Sequence, residues 1–227
     1  MTNAANAEGQ VALPDPKVQP IKPRDAAEEK LMAQALSAYE SNKAATAQRL
    51  FTRLANQGNA WGMYNLAAMY GQGQDKYPAK AAPASAKKQA AFWLNKAAAL
   101  NYPQALLVLG QAHENESLTP HVKRDLAKAA EYFHTAAELG QAQAAQEFGA
   151  ALYLGRGVTK DITEAAKWFL QAARAGESDS QYMVASMYEL GDGLPQDDRL
   201  AITWYEAAAK QGDVAAKAKA AELIKKN

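Results

Sequence analysis

The chain of 227 residues is almost neutral, with 25 lysine and arginine residues against 24 aspartate and glutamate residues. A general nucleic-acid binder needs a large positive excess to displace counterions, so this balance argues against that class. Cysteine is absent, which excludes disulfides, thiolate metal sites and a cysteine nucleophile. No apolar run reaches the roughly 20 residues that a membrane-spanning helix needs. With 48% hydrophobic residues, most of the chain is expected to fold.

Residues 1–24 differ from the rest, because four prolines (Pro14, Pro16, Pro20 and Pro23) follow a start of small polar residues. This composition predicts a disordered tail that passes into a stiff, extended spacer. From residue 25 onward the apolar residues recur at helical spacing throughout. The sequence therefore predicts a proline-rich tail followed by an all-helical domain.

A repeat with a period of 36 residues runs through the helical part. Each copy closes with paired alanines and, in most copies, a glycine three residues later, as in Ala172-Ala173 and Gly176. Successive closing positions are 43, 39, 36 and 36 residues apart, so the first full copies carry short insertions. A helical period of this length is typical of a solenoid. The repeats are assigned to residues 25–58, 59–101, 102–140, 141–176 and 177–212, with a last segment at 213–227.

The second helix of each full repeat carries an aromatic residue four positions before its paired alanines. Spacings of three and four place the aromatic residue and the alanines on one helix face. We interpret the aromatic residues as core anchors packed against small side chains rather than as ligand-stacking groups. They are Trp93, Tyr132, Trp168 and Trp204.

Glycine pairs separate the two helices of the last repeats, at Gly155 and Gly157 and at Gly191 and Gly193. A phosphate-binding loop would follow a strand, whereas these glycines follow a helix. We interpret them as helix-ending residues that adopt the left-handed conformation. Aspartates that then precede the second helices are expected N-caps. They are Asp125, Asp161 and Asp197.

These two last repeats resemble Sel1-like repeats, a family related to the tetratricopeptide repeats. The resemblance is carried by residues 140–176, with LYLGRGV at 152–158 and Trp168, and by residues 176–212, with Trp204. Both segments combine the glycine turn, the capping aspartate, the aromatic residue and the alanine pair.

The resemblance covers about residues 35–212. It implies an all-α, right-handed α/α superhelical solenoid with a C-terminal capping helix at 213–227. First helices would line its concave face and second helices its convex face. Two earlier repeats depart from the pattern, since Asn101 replaces the closing glycine and residues 117–120 replace the glycine turn.

Non-catalytic binding of a protein partner on the concave face is the function that the resemblance implies. Family members act as adaptors and inhibitors, many of them in bacterial envelopes and in signalling. Comparison with the tetratricopeptide pattern assigns the partner-binding positions to inward-facing residues of the first helices. They are Trp61, Tyr64, Asn65, Gln104, Leu107, Gln111, Gln143, Gln146, Glu147, Asp179 and Tyr182.

Among these positions Trp61 is not at an aromatic slot of the family, so it is expected to be partly exposed and to contact the partner. Tyr64 and Tyr182 have a structural alternative, because they could pack between neighbouring repeats. The glutamines could equally be ordinary solvated surface. A further contact is expected at Tyr77, in the loop Gln72–Lys87, unless this loop is only a tolerated insertion.

Nothing in the sequence favours catalysis, a cofactor or a metal site. The three histidines, His113, His121 and His134, fall in one repeat, but no carboxylate stands at the helical spacing that a metal-binding HExxH-type motif has. No nucleophile elbow or nucleotide-binding P-loop is present. We therefore predict a monomeric binding protein rather than an enzyme.

A periplasmic location is expected, because a polar tail and a proline-rich spacer often follow a cleaved signal or a lipid-anchored cysteine in bacterial envelope proteins. A cytoplasmic location is the alternative, since residues 1–24 contain no apolar signal segment. Two other functions stay open at this stage. One is an immunity protein that neutralises a secreted antibacterial toxin, such as a type VI secretion effector. The other is a protein that acts on or binds cell-wall fragments.

Overall fold

A computed structural model describes residues 22–71, 83–115 and 122–226, except for the side chains of residues 83 and 84. Within these ranges the chain forms eleven α-helices and no β-strand, which confirms the all-α prediction. None of these helices is long and apolar enough to span a bilayer. The helices are α1 (Ala26–Glu40), α2 (Ala44–Asn56), α3 (Ala60–Gly71), α4 (Pro83–Ala99), α5 (Pro103–Asn115), α6 (Leu126–Glu138), α7 (Ala142–Leu154), α8 (Ile162–Arg174), α9 (Ser178–Leu190), α10 (Asp198–Lys210) and α11 (Val214–Lys226).

Two compact units divide the chain, unit 1 ending at Asp125 and unit 2 beginning at Leu126. In unit 1, consecutive helices from α1 to α5 pack against each other. In unit 2, the helices α6 to α11 follow the same rule. Packing between sequence neighbours, repeated along the chain, is the arrangement of a solenoid. The predicted fold class is confirmed.

Alanine pairs on the second helices contribute small, buried side chains to the core. In α8 and α10, Ala172 and Ala208 are fully buried, and Phe169 and Tyr205 next to them retain 2% and 1% of their exposure. Small side chains let the neighbouring helix approach closely, while the rings fill the remaining space. The core of unit 2 therefore alternates small and aromatic residues along each second helix.

The aromatic positions assigned to the core are displaced by one residue. Each residue expected as a core anchor is only partly buried, and the residue after it is the buried one. The side chain of Phe169, for example, lies three or four residues from four alanines of α8, whereas Trp168 lies at the margin of that face. The partly buried residues are Trp93, Tyr132, Trp168 and Trp204, and the buried ones are Leu94, Phe133, Phe169 and Tyr205.

Helix ends follow the sequence signals closely in unit 2. The side chain of Asp161 accepts a hydrogen bond from the backbone N–H of Glu164 at 2.9 Å, which caps α8. Asp197 caps α10 in the same way. Gly155 and Gly191 end α7 and α9 with φ values of 70° and 71°, in the left-handed region. The turn glycines are thus structural, as the sequence predicts.

One predicted boundary is wrong, and two predicted segments fall outside the described residues. The loop expected at Gln72–Lys87 is shorter, because α4 begins at Pro83 and Lys87 lies on that helix. Tyr77 lies outside the described residues, as do residues 1–21 of the predicted tail. The tail and the Tyr77 contact stay predictions.

Candidate functional site

Four of the predicted binding residues of unit 1 are buried. Trp61 and Asn65 retain 2% of their exposure, Tyr64 1% and Leu107 6%. The expectation that Trp61 is partly exposed is therefore wrong. Its ring instead packs edge-on against Phe51 of α2, with the ring centroids 5.3 Å apart. Every residue of α3 from its start to Met69 is buried, so this helix offers no accessible face.

Polar atoms within this buried region are incompletely paired. The rings of Tyr64 and Tyr102 meet edge to face at 5.1 Å, and burial raises the pKa of both hydroxyls. Neither hydroxyl has a hydrogen-bond partner within the described part of the chain. Asn65 uses its amide nitrogen to bond the carbonyl of Trp61 at 2.8 Å, but its own carbonyl is unpaired. A buried unpaired group destabilises the fold, so these atoms do not add to the stability of unit 1.

Two predicted residues of unit 1 are more accessible. Gln104 and Gln111 lie on α5 and are partly buried. Their neighbours on the same helix, from Ala105 to Gly110, are all buried. The structure therefore leaves two separate glutamine side chains here rather than a continuous surface.

In unit 2 the predicted residues are accessible and lie in equivalent positions on α7 and α9. Gln143 and Asp179, which are 36 residues apart, are both exposed. Gln146 and Glu147 on α7 and Tyr182 on α9 are partly exposed. Spacings of three and four place the residues of each helix on one face. Unit 2 thus brings together the five predicted residues that it contains.

Direct contacts hold α7 and α9 in register. The hydroxyl of Ser180 on α9 donates to the side-chain carbonyl of Gln146 on α7 at 3.3 Å. The ring of Tyr182 packs against that of Tyr205 on α10, with the centroids 5.2 Å apart. The tyrosine is therefore fixed in one orientation while part of it stays accessible.

The last helix, α11, extends this face. The sequence predicted a capping helix at residues 213–227, and no partner-binding residue was assigned to it. Lys219 lies 36 residues after Met183 and so occupies the equivalent position of the next helix. Its ammonium group binds the carboxylate of Glu189 on α9 at 3.0 Å. The repeat period alone predicts this position, so the signal was present in the sequence.

Glu189 is the electrostatic centre of the contact between α9 and α11. Burial acts to raise its pKa, but the hydroxyl of Tyr205, which donates at 2.7 Å, and the ammonium of Lys219 outweigh burial, and the pKa of the carboxyl is lowered. In turn the carboxylate raises the pKa of Lys219. The ion pair is therefore charged at neutral pH and fixes α11 beside α9.

We call the accessible face of these three helices the first-helix surface of unit 2. It carries amide, carboxylate, ammonium, aromatic, hydroxyl and thioether groups, with three carboxylates against one ammonium. Its residues are Gln143, Gln146, Glu147 and Ala150 of α7, Asp179, Tyr182, Met183 and Ser186 of α9, and Ala215, Ala218, Lys219 and Glu222 of α11.

The histidines have structural contacts. A ring nitrogen of His113, Nδ1, lies 2.9 Å from the carbonyl oxygen of Lys123. His134 packs against Phe148 and Trp168, with ring centroids 4.7 and 5.5 Å away. Among the described residues, no group of three or more histidine, aspartate or glutamate side chains could hold a metal ion. His121 lies outside those residues.

Comparisons with known proteins agree with the geometry. The Sel1 repeat model matches residues 62–102, 103–141, 142–177 and 178–213. No curated protein matches the chain.

Among solved structures, a protective antigen of uropathogenic Escherichia coli with an SLR fold is 32% identical, with a TM-score of 0.66. The match covers 74% of this chain and 34% of that antigen. A Sel1 repeat protein from Oxalobacter formigenes is 31% identical, with a TM-score of 0.69, over 78% of this chain and 49% of that protein. The chain therefore spans half or less of these two proteins. An immunity protein of Pseudomonas aeruginosa is 19% identical, with a TM-score of 0.41, over 78% of this chain and 81% of that protein. A similarity this low does not indicate a shared function.

Proposed function

Because the chain belongs to the Sel1 repeat family, whose members are generally protein-interaction modules, we propose that it is a non-catalytic binding protein whose partner occupies the first-helix surface of unit 2. The observation that carries the proposal is the contrast between the two units. The face of α3 in unit 1 is buried, whereas the equivalent faces of α7 and α9 in unit 2 are open. A partner therefore reaches the predicted residues of α7 and α9 but not those of α3.

The chemistry of this surface suits a peptide segment of a protein. Gln143 and Gln146 offer amide donors and acceptors, which match backbone groups without requiring a charged ligand. Tyr182 supplies aromatic contact area and is already oriented by Tyr205, so that little side-chain entropy is lost on binding. A stable complex of ordinary size needs about 800 Å² from each partner.

We also propose the bacterial cell envelope as the place of action. The support is the composition of residues 1–24, whose small polar start and four prolines are typical of the spacer between an envelope anchor and a folded domain. Protease accessibility in intact and in osmotically shocked cells tests this part of the proposal.

Affinity capture from a lysate of the source organism tests the binding function, with three baits compared. Gln143→Arg places a bulky charge on an exposed residue of the surface, and we expect it to weaken binding at least tenfold, about 1.4 kcal/mol. Thr203→Arg is the matched control, because Thr203 is exposed on the second helix α10. The captured protein is then purified, and its Kd for each bait is measured by calorimetry.

Support for the proposal is a stoichiometric protein that wild type and Thr203→Arg retain and Gln143→Arg loses. Its identity would decide between an envelope component and a secreted toxin held by an immunity protein. Equal capture by all three baits, or no protein captured by a folded bait, would rule out this surface as the binding site.

A further inference from the structure

A groove runs along the seam between α1 and α2, on residues that the sequence analysis did not single out. Two adjoining recesses of about 530 and 620 Å³ form it and share Lys30 and Gln34. The groove is lined by Ala33 and Ser37 of α1 and by Ser41, which caps its C-terminal end; these residues recur every four positions and so lie on one face. Small side chains over just more than two helical turns, about 12 Å, leave room for a third helix to approach closely.

In the later repeats, each first helix also packs against the second helix that precedes it. In unit 1, α3 packs against the second helix that precedes it, α2. In unit 2, α7 packs against α6, and α9 packs against α8. Among the described residues, α1 has no helix before it. The packing rule of the repeat thus leaves one helix-binding face of α1 open.

Uncompensated positive charge surrounds the groove. Lys30, Lys43 and Arg49 line one recess, which no carboxylate lines, and Arg53 lines the other. Within the described part of the chain, none of these four side chains forms an ion pair. The two carboxylates at the groove are already engaged, since Asp25 caps α1 and Glu28 binds Arg24. A helix in the groove would therefore meet four unpaired cations.

We propose that the α1–α2 groove binds an acidic amphipathic helix of a partner protein, which takes the place of a preceding second helix. Its apolar face packs on Ala33, Ser37 and Leu50, and aspartates or glutamates at its margins pair with Lys30 and Arg49. This is a second binding surface, separate from the first-helix surface of unit 2, and it does not depend on the function proposed for that surface.

A second copy of the chain does not fit as the occupant in a head-to-tail stack. The helix at the other end of the array, α11, carries Lys217, Lys219, Lys225 and Lys226 against a single acidic residue, Glu222. Apposing it to the cations of the groove would bring like charges together, which disfavours association. The charge of the groove thus points to a different, acidic protein.

The test is a selection from a displayed library of 18-residue helices, with eight randomised positions on one side, on the immobilised full chain. Enriched helices are expected to carry more aspartate and glutamate than the input library. Their affinities are then measured by fluorescence anisotropy on the full chain and four variants of it. Circular dichroism and thermal melting confirm that each variant is folded.

Two of the variants change the groove, and two are controls. Lys30→Glu/Arg49→Glu reverses its charge, and Ser37→Trp fills it without changing charge; each should weaken the selected helices at least tenfold. Arg174→Glu/Lys210→Glu makes the same change in net charge on exposed residues of unit 2, and Gln143→Arg alters the first-helix surface. Both controls should bind the selected helices within twofold of wild type.

Several outcomes would overturn the proposal. They are no enrichment, enrichment without excess acid, unchanged affinity in Ser37→Trp, and equal losses in Arg174→Glu/Lys210→Glu. Enrichment that occurs only on a chain lacking residues 1–20 would instead assign the groove to the protein's own N-terminal segment. Loss of binding in the two groove variants, and in no control, establishes the groove as the site. This conclusion does not depend on whether Gln143→Arg weakens binding of the partner of the first-helix surface.

Discussion

The burial of the Trp61 indole ring decides whether this position belongs to a binding surface or to the core. On sequence grounds it is an extra tryptophan on an inward-facing position, which is a frequent hot-spot pattern. In the structure it lies on α3, whose residues Ala60–Met69 are all buried, and it packs against Phe51. The sequence did carry a warning, since this stretch contains no charged residue and is apolar or small on every side, a pattern typical of a buried helix.

We therefore expect Trp61→Ala to act on stability. Truncation of a buried aromatic side chain leaves a cavity and costs about 3–5 kcal/mol. Denaturant unfolding at pH 7 measures the change in unfolding free energy. Phe92→Ala is the control, since Phe92 is an aromatic residue that is 48% exposed, and its loss should cost less than about 1 kcal/mol. Equal stability of wild type and Trp61→Ala would restore Trp61 as a surface residue.

At the scale of elements, the second glycine of each turn between a first and a second helix determines how closely that turn packs on the preceding second helix. A Cβ atom on Gly157 would collide with the backbone of Leu126 and Ala127, at the start of α6. A Cβ atom on Gly193 would lie 2.6 Å from the carbonyl oxygen of Ile162, at the start of α8. Each turn thus packs backbone to backbone on the second helix before it, which only glycine permits.

Two glycine substitutions separate this close approach from backbone conformation. Gly157 and Gly176 both have positive φ, but no atom lies within 4 Å of the Cβ position at Gly176. Gly176→Ala should therefore cost only the left-handed conformation, about 1–2 kcal/mol. Gly157→Ala should add a steric cost of about 1–3 kcal/mol. Chemical denaturation of both variants makes the comparison, and equal losses would show that the contact with α6 is relaxed without cost.

For the molecule as a whole, the response of stability to acid depends on a few carboxyl groups. The guanidinium of Arg24, against the cost of burial, and the amide of Asn59 lower the pKa of Glu28 to about 2. Glu189 is lowered as well, whereas burial and the nearby Asp179 raise the pKa of Glu177. A lowered carboxyl pKa stabilises the fold above the unfolded-state value and loses that effect as the pH falls, while a raised one acts in the opposite sense.

Glu28 is the largest of these, so we expect the unfolding midpoint to fall as the pH drops from 5 towards 2. Its carboxylate also accepts a hydrogen bond at 3.0 Å from Asn59, whose side chain caps α3 at the N–H of Gly62. Glu28→Gln should be less stable than wild type at pH 6, and the difference should shrink by pH 3. Thermal melts at the two pH values test this, and a difference that is independent of pH would contradict the assignment.

The sequence predicted the array well, for a physical reason. Periodicity reports which residues face a neighbouring helix, and the aspartates before the second helices placed the caps Asp161 and Asp197 correctly. The resemblance to the tetratricopeptide pattern selected the first-helix positions, of which Gln143 and Asp179 are exposed, and their role in binding stays a prediction. Periodicity does not report how closely neighbouring helices approach, so the burial of Trp61 was missed. The α1–α2 groove was missed for the related reason that it depends on what packs beside α1, which the repeat period does not report.

The glycine contacts have a consequence for how such a chain changes length over generations. The Gly193 turn packs against α8 in the same way as the Gly157 turn packs against α6. Excision of one full period would therefore place the Gly193 turn against α6. The new contact would repeat one that the chain already contains, so it would need no compensating substitution. Genes for such arrays can therefore grow or shrink by whole periods through unequal recombination, whereas a deletion of another length at these turns would move the glycine out of its contact with the neighbouring second helix.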